Sequence, residues 1–327
     1  MERRGIKHIK KMKHWIEAAR LRTLPLSVSG IIVGSFFALS RPTDEVLTPT
    51  QVFNWITFGL LLLTTIGLQV LSNFANDYGD GIKGTDNDDR VGPKRAIQKG
   101  VITPFAMKNA IIITAVLTFA SAVALIYNAF HLKYFYYSLI FLILGIMAIA
   151  SAIRYTVGNN AYGYRGYGDV FVFVFFGLVS TFGSYFMFAK EVSFLLLLPS
   201  VAIGFLSVGV LNLNNMRDEE SDKKAGKNTV VVKKGGEWAK KYHYFLVISA
   251  MALVIAFAYL NDFHFDQYLF VAAYFPLTGH LIRVGKNRNP KLLDPELKKL
   301  ALSTFFLSIL LALSLIYFVS DLLVNYI

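Results

Sequence analysis

Apolar runs about 20 residues long, the length that carries an α-helix across a bilayer, follow one another along this 327-residue chain. Nine of them lie near 24–40, 52–75, 108–128, 132–152, 168–188, 193–213, 242–261, 264–282 and 300–320. Hydrophobic residues make up 55% of the chain and charged ones 17%, beyond what a soluble domain carries. The expected fold is therefore an all-α integral membrane protein, a bundle of about nine transmembrane helices. Short hinges fall around 129–133 and 262–266. No linker or low-complexity stretch interrupts the runs, so residues 1–327 form a single polytopic domain. Residues 1–23 form a basic segment in which Trp15, Lys10, Lys11 and Lys13 fit a helix lying on the membrane surface.

The basic residues test this span count. With the N-terminus cytoplasmic, the inner segments are 1–23, 76–108, 153–167, 214–241 and 283–299, and they hold 30 of the 33 Lys and Arg residues. Arg41, Lys133 and Lys190 are the exceptions. Such asymmetry is the positive-inside pattern of a membrane protein with an odd number of spans. It also accounts for the net charge of +12 without nucleic acid, for which no soluble basic domain exists. Cysteine is absent, which excludes disulfides, thiolate metal sites and a Cys nucleophile.

Two acidic clusters follow long apolar runs, and both fall on the cytoplasmic side. The first reads Asn76-Asp77-Tyr78-Gly79-Asp80, with Asp86 beyond it. The second reads Asn214-Asn215-Met216-Arg217-Asp218, with Asp222 beyond it. Each contains Asn-x-x-x-Asp, and on a helix residues four apart share a face, so Asn214, Asp218 and Asp222 would form an oxygen-bearing ridge. Asn76 and Asp80 would begin a second. Carboxylates at a membrane helix end are costly unless a cation holds them, and oxygen-only ligands completed by phosphate suit Mg²⁺. The pattern points to a diphosphate gripped through magnesium. Asp77 fits either the metal or a loop cap, and Asp88 and Asp89 fit a solvated turn. Thr85-Asp86-Asn87-Asp88-Asp89 lacks the glycine and terminal glutamate of a calcium-binding EF-hand loop.

A diphosphate also needs cations directly. Lys83, Arg90, Lys94 and Arg95 follow the first cluster, Lys223 and Lys227 follow the second, and Arg22 precedes the first span. Arg154, Tyr155, Tyr164, Arg165 and Asp169 share the 153–169 loop. The six histidines are scattered, and no nucleophile-elbow, Walker or dinucleotide motif is present.

Together these features resemble the intramembrane aromatic prenyltransferases of the UbiA superfamily, and within it the branch that prenylates 1,4-dihydroxy-2-naphthoate for menaquinone. The resemblance runs from Arg22-Thr23-Leu24-Pro25 to the last span. It is carried by the two acidic motifs, by Gly92-Pro93-Lys94-Arg95, by Tyr162-Gly163-Tyr164-Arg165 and by Gly226-Lys227-Asn228-Thr229. It implies one bundle around a central cavity and a bacterial plasma membrane, with the site facing the cytoplasm. It further implies Mg²⁺ on Asp80, Asp218 and Asp222, helped by Asn76, Asn214, Asp86 and Asp77. Arg22, Lys83, Lys94, Arg95, Lys223 and Lys227 would hold the diphosphate of a polyprenyl donor, and Arg165 or Asp169 would orient the aromatic acceptor. The reaction implied releases diphosphate and CO₂ and yields demethylmenaquinol. Where the wider superfamily often carries another Asp, this chain has Gly84, so Asp86 would have to substitute through a bent helix end. The competing expectations are a transporter of a divalent cation or anionic solute, and prenylation of 4-hydroxybenzoate or homogentisate.

Overall fold

The computed structural model of the protein describes residues 12–41, 53–87 and 90–325, without the side chains of Arg22 and of 317–325. The basic stretch from Arg3 to Lys11, the pair Asp88 and Asp89, and the Arg22 side chain lie outside the described residues. Among those described, regular structure is helical with no strand. The long helices are α1 (Leu24–Leu39), α2 (Trp55–Ile82), α3 (Pro104–Phe130), α4 (Phe135–Arg154), α5 (Gly168–Ala189), α6 (Phe194–Arg217), α7 (Gly236–Leu260), α8 (Tyr274–Lys286) and α9 (Asp294–Asn325).

Seven of the described helices are long and apolar enough to cross a membrane, and an eighth span results if Met12–Ala19 and α1, bent by 53°, count as one. At 1.5 Å per residue α1 is about 24 Å long, short of a hydrocarbon core of about 30 Å. The expected 264–282 span is a 3₁₀ segment, Phe265–Ala273, running into α8, with Tyr268 out of helical geometry. Left-handed residues mark both expected hinges: His131 (φ 48°) follows α3, and Asp262 (φ 53°) follows α7.

Local sequence starts several helices. Asn54 caps α2 by accepting the N–H groups of Ile56 and Thr57 at 2.9 and 3.1 Å. Thr103 caps α3 through Ala106 N–H at 3.2 Å, with Pro104 in the first turn, where its missing N–H costs nothing. Between helices, small residues permit close approach. A Cβ on Gly34 of α1 would lie 2.1 Å from the Thr181 carbonyl oxygen of α5. Helix α6 is the inner element, with 61% of its apolar window buried, whereas the corresponding figure for α4 is 0%. One side of α4, with Phe141 and Leu144, lines a cavity, and its outer apolar residues such as Leu139, Ile143 and Met147 are exposed and suit lipid.

Helices α1 to α5 line most of a partly open cavity of about 710 Å³. Along α2 it runs from Leu61 to Asn76, which is about 22 Å at the helical rise. Its wall is mainly aliphatic and aromatic, and Asn73, Asn76, Tyr155 and Tyr162 line it where α2 approaches its C-terminus.

Candidate active site

Asn76 and Asp80 stand one turn apart inside the unbroken α2. Past its end, Gly84 adopts φ +70°, a conformation open to glycine. The chain then folds back, so that the N–H groups of Thr85 and Asp86 donate to the Asp80 carbonyl at 3.0 and 3.4 Å. This turn brings the buried Asp86 beside Asp80. Arg95 Nη1 joins the two, 2.7 Å from Asp80 Oδ2 and 3.3 Å from Asp86 Oδ2, and also donates to the Asn76 carbonyl at 2.7 Å. Arg90 Nη1 takes the other Asp86 oxygen at 2.7 Å. Burial pushes the Asp86 carboxyl above the usual carboxylate range, against the pull of Arg95 and Arg90. Burial works against the charge of Arg95 too, but Asp80 and Asp86 outweigh it and hold the guanidinium charged.

Asp77 lies elsewhere. Its carboxylate accepts the backbone N–H groups of Ala96 and Ile97 at 3.2 and 3.5 Å, and so pins the turn that presents Arg95. Of the two alternatives left open for it, the loop-cap geometry is the one observed.

The second motif departs from the expected straight ridge. Helix α6 ends at Arg217, and Asp218, at φ −100° and ψ 10°, joins it to a short helix, Glu219–Lys224. The i+4 stepping survives across the joint: Asp218 N–H donates to Asn214 O at 3.1 Å, and Asp222 N–H to Asp218 O at 2.8 Å. Gly226 (φ +72°) then reverses the chain, and Lys227 N–H returns to the Asp222 carbonyl at 2.9 Å. Lys227 Nζ consequently reaches Asp80 Oδ2 at 3.2 Å and Asp222 Oδ1 at 3.7 Å. One ammonium bridges both motifs. Burial raises the Asp222 carboxyl to about 6 against the pull of Lys227, with Asp218 and Asp80 adding to the rise. At Asp218 burial also opposes ionisation, but the adjacent Arg217 holds the carboxyl below its ordinary value.

The 153–169 loop supplies Tyr164, whose hydroxyl donates to Asp80 Oδ1 at 2.7 Å and lies 2.6 Å from Thr85 Oγ1. Lys83 Nζ and Lys227 Nζ stand 4.2 and 5.0 Å from its ring centroid. Lys83 also donates to the Thr156 carbonyl at 2.8 Å, and Thr156 Oγ1 lies 3.2 Å from Asn76 Oδ1. Other expected residues are not brought into this cluster. Arg165 is exposed and donates to Asn160 Oδ1. Asp169 hydrogen-bonds Tyr242, Asn214 Oδ1 accepts from Arg217 at 2.8 Å, and Lys94 and Lys223 are exposed. One residue had no signal in the sequence: Arg20, at φ 52°, has its Nη2 buried without a hydrogen-bond partner. The charges of Arg95, Arg90, Asp77 and Asp86 surround it.

The donor set fits magnesium in chemistry. It offers carboxylate oxygens from both motifs, one of them, Asp86 Oδ2, buried with only the 3.3 Å ion-pair contact to Arg95 and no aligned hydrogen bond. Lys227 already places a cation between Asp80 and Asp222. Among the described residues no three His or acidic side chains are gathered as a ready-made metal cage. Their charge is met by Arg95, Arg90, Lys227 and Arg217 instead.

Carboxylates interleaved with cations thus stand beside Asn76, where it lines a long apolar cavity in a helical membrane bundle. The chain belongs to the UbiA prenyltransferase family, whose model matches residues 45–308. It is 42% identical over 306 residues to a 1,4-dihydroxy-2-naphthoate octaprenyltransferase of Haemophilus influenzae, covering 94% of this chain and 96% of that one. It is 40% identical over 308 residues to the Escherichia coli protein of the same description, again covering 94% and 96%. Its fold matches the solved structure of a UbiA homolog from Archaeoglobus fulgidus bound to DMAPP and Mg²⁺. There the TM-score is 0.60 at 18% identity, with 91% of this chain and 99% of that one covered.

Proposed function

We propose that this protein transfers a polyprenyl group from polyprenyl diphosphate to 1,4-dihydroxy-2-naphthoate, releasing diphosphate and CO₂ and forming demethylmenaquinol. The observation that carries this reading is the joining of both acidic motifs by Lys227, with Arg95 holding Asp80 and Asp86 next to Asn76, which also lines the apolar cavity. The polyprenyl tail lies in the cavity, and its diphosphate meets Arg95, Lys227, Lys83 and Arg20. Asp80, Asp218 and Asp222 hold Mg²⁺, with Asp86 and Asn76 beside them. Mg²⁺ when bound neutralises the donor diphosphate and the charge that grows on it as a leaving group. The basic side chains add fixed positive charge at the same place. Tyr155 and Tyr162, at the cavity wall, face the allylic carbon with electron-rich rings that favour a developing cation. The apolar wall keeps water from intercepting that cation.

The naphthoate ring then attacks, and the carboxylate departs as CO₂. Asp169, hydrogen-bonded to Tyr242 and next to Gly168, beside which the Tyr155 hydroxyl lies, orients this acceptor. Asp77 and Arg165 act on the loops that frame the site. The membrane arrangement that goes with this chemistry has nine spans around the cavity, with Phe265–Ala273 and α8 together forming the broken eighth. The N-terminus and the site lie on the cytoplasmic side of a bacterial plasma membrane, the side that the positive-inside rule gives to the segments holding 30 of the 33 basic residues.

The test uses purified protein in detergent or lipid with labelled polyprenyl diphosphate and Mg²⁺. Dihydroxynaphthoate and 4-hydroxybenzoate are offered separately, each with and without EDTA. Product from dihydroxynaphthoate alone, abolished by EDTA, is expected. Product from 4-hydroxybenzoate alone would move the protein to another acceptor, and failure to bind the donor would revive a transport role.

A further inference from the structure

We infer that Asp294, on the first turn of the last helix, is a positioning residue that tunes the metal affinity of Asp218 through Arg217. The inference rests on the reading of Asp218 as a magnesium ligand. Arg217 is the largest fully buried side chain among the described residues, and its partners come from three parts of the chain. Nε and Nη2 grip Asp218 Oδ1 and Oδ2 at 2.9 and 2.6 Å. Nη2 also reaches Asn214 Oδ1 at 2.8 Å, while Nη1 reaches Asp294 Oδ1, 77 residues away, at 2.5 Å. The loop after the first motif closes over the same group, since a Cβ on Gly92 would lie 2.7 Å from Nη2. One guanidinium thus ties the second motif, the first-motif loop and α9 together.

This arrangement has two consequences for Asp218. A carboxylate offers about four lone-pair directions, and the bidentate contact takes two, fixing the rotamer and leaving the others for a cation. A lone Arg⁺ in that position would also cancel the Asp218 charge and compete with Mg²⁺. Asp294 counters this. The Asp218–Arg217–Asp294 chain carries one net negative charge, and the pull of Asp294 on Nη1 weakens the hold of the guanidinium on Asp218. The start of α9 is itself held, because Glu296 accepts from His280, Arg283 and Lys299 at 2.7, 2.8 and 2.6 Å. Asp294 is therefore presented from a braced turn, and its side chain is 29% exposed, so its replacement leaves no buried cavity.

The experiment measures Mn²⁺ binding by electron paramagnetic resonance on the full-length protein in detergent with inorganic diphosphate, alongside thermal unfolding. Supporting an outer carboxylate typically matters by an order of magnitude in metal affinity. Asp294→Ala is expected to raise the Mn²⁺ Kd roughly tenfold, and Asp294→Asn, which keeps an acceptor but not the charge, by a smaller factor. An unchanged Kd in these variants, whatever happens to the unfolding temperature, overturns the inference. If the alanine variant does not fold, the asparagine variant decides by the same measurement. Asp218→Ala is run in parallel. Wild-type Mn²⁺ affinity in that variant would overturn the metal reading itself, whereas its loss together with an unchanged Asp294→Ala affinity would overturn the role of Asp294 alone.

Discussion

Replacing Tyr164 by Phe removes one oxygen and leaves the ring that Lys83 and Lys227 approach at 4.2 and 5.0 Å. The lost contacts are one of 2.6 Å with Thr85 Oγ1 and, the one that matters for the site, the 2.7 Å hydrogen bond to Asp80 Oδ1, which fixes the carboxylate that also meets Arg95 and Lys227. A hydrogen bond to a charged acceptor contributes about 1.5–3 kcal/mol. At about 2 kcal/mol, with a factor of ten for every 1.4 kcal/mol, kcat/KM should fall roughly thirtyfold. Tyr164→Ala removes the ring as well. Two cation–ring contacts at about 0.5–1 kcal/mol each add a further loss of roughly five- to thirtyfold. The assay is initial-rate prenyl transfer over a matrix of donor and Mg²⁺ concentrations at saturating acceptor. The reasoning is refuted if the Phe variant keeps nearly wild-type kcat/KM, since the hydroxyl would then do nothing for Asp80. It is equally refuted if Phe and Ala variants fall together.

Further outcomes follow from the same geometry. Arg95→Ala breaks a buried three-way contact, and loss of one partner of a buried pair costs about 3–5 kcal/mol; turnover should drop more than about a hundredfold, with partial recovery in Arg95→Lys, and normal turnover in the alanine variant would contradict the site. Arg165→Ala should leave kcat/KM within about twofold, because surface changes away from such contacts rarely exceed ~0.5 kcal/mol; a large loss would bring Arg165 back to the acceptor. The Asp222 carboxyl, raised from 3.8 to about 6 by burial, binds its proton more tightly folded than unfolded. Its contribution to metal-free stability is therefore present below pH 3.8 and lost as pH rises through about 6. Thermal stabilisation by Mg²⁺ should accordingly be weak below about pH 6 and grow above it, and a flat pH profile of the Mg²⁺-induced shift would contradict this. Gly34→Val forces a side chain against the Thr181 carbonyl; overpacking of about 1–3 kcal/mol should lower the unfolding temperature, and an unchanged value would show that α1 and α5 can separate.

Much of this protein is legible from local sequence. Membrane helices must satisfy their own backbone polar groups, so the apolar run that becomes α6 is visible without its neighbours. Charge asymmetry is likewise additive along the chain, and the spacing of Asn76 from Asp80 puts both on one helix face before any packing is known. Neighbouring residues with the same chemistry are another matter. Asp77 and Asp80 are both aspartates of one motif, yet one pins backbone amides and the other meets Arg95, Lys227 and Tyr164. Asp86 reaches Arg95 because Gly84 turns the chain. Arg165 and Tyr164 are adjacent, and only the tyrosine reaches the acids. Arg20 and Asp294 carry no motif at all. Sequence by itself determined the helices, their membrane character and the two motifs, because each depends on residues within a turn or two. Tertiary structure alone decided which carboxylate meets which cation, because a hydrogen bond is made within about 3 Å and the chain segments that supply its two ends lie up to 147 residues apart.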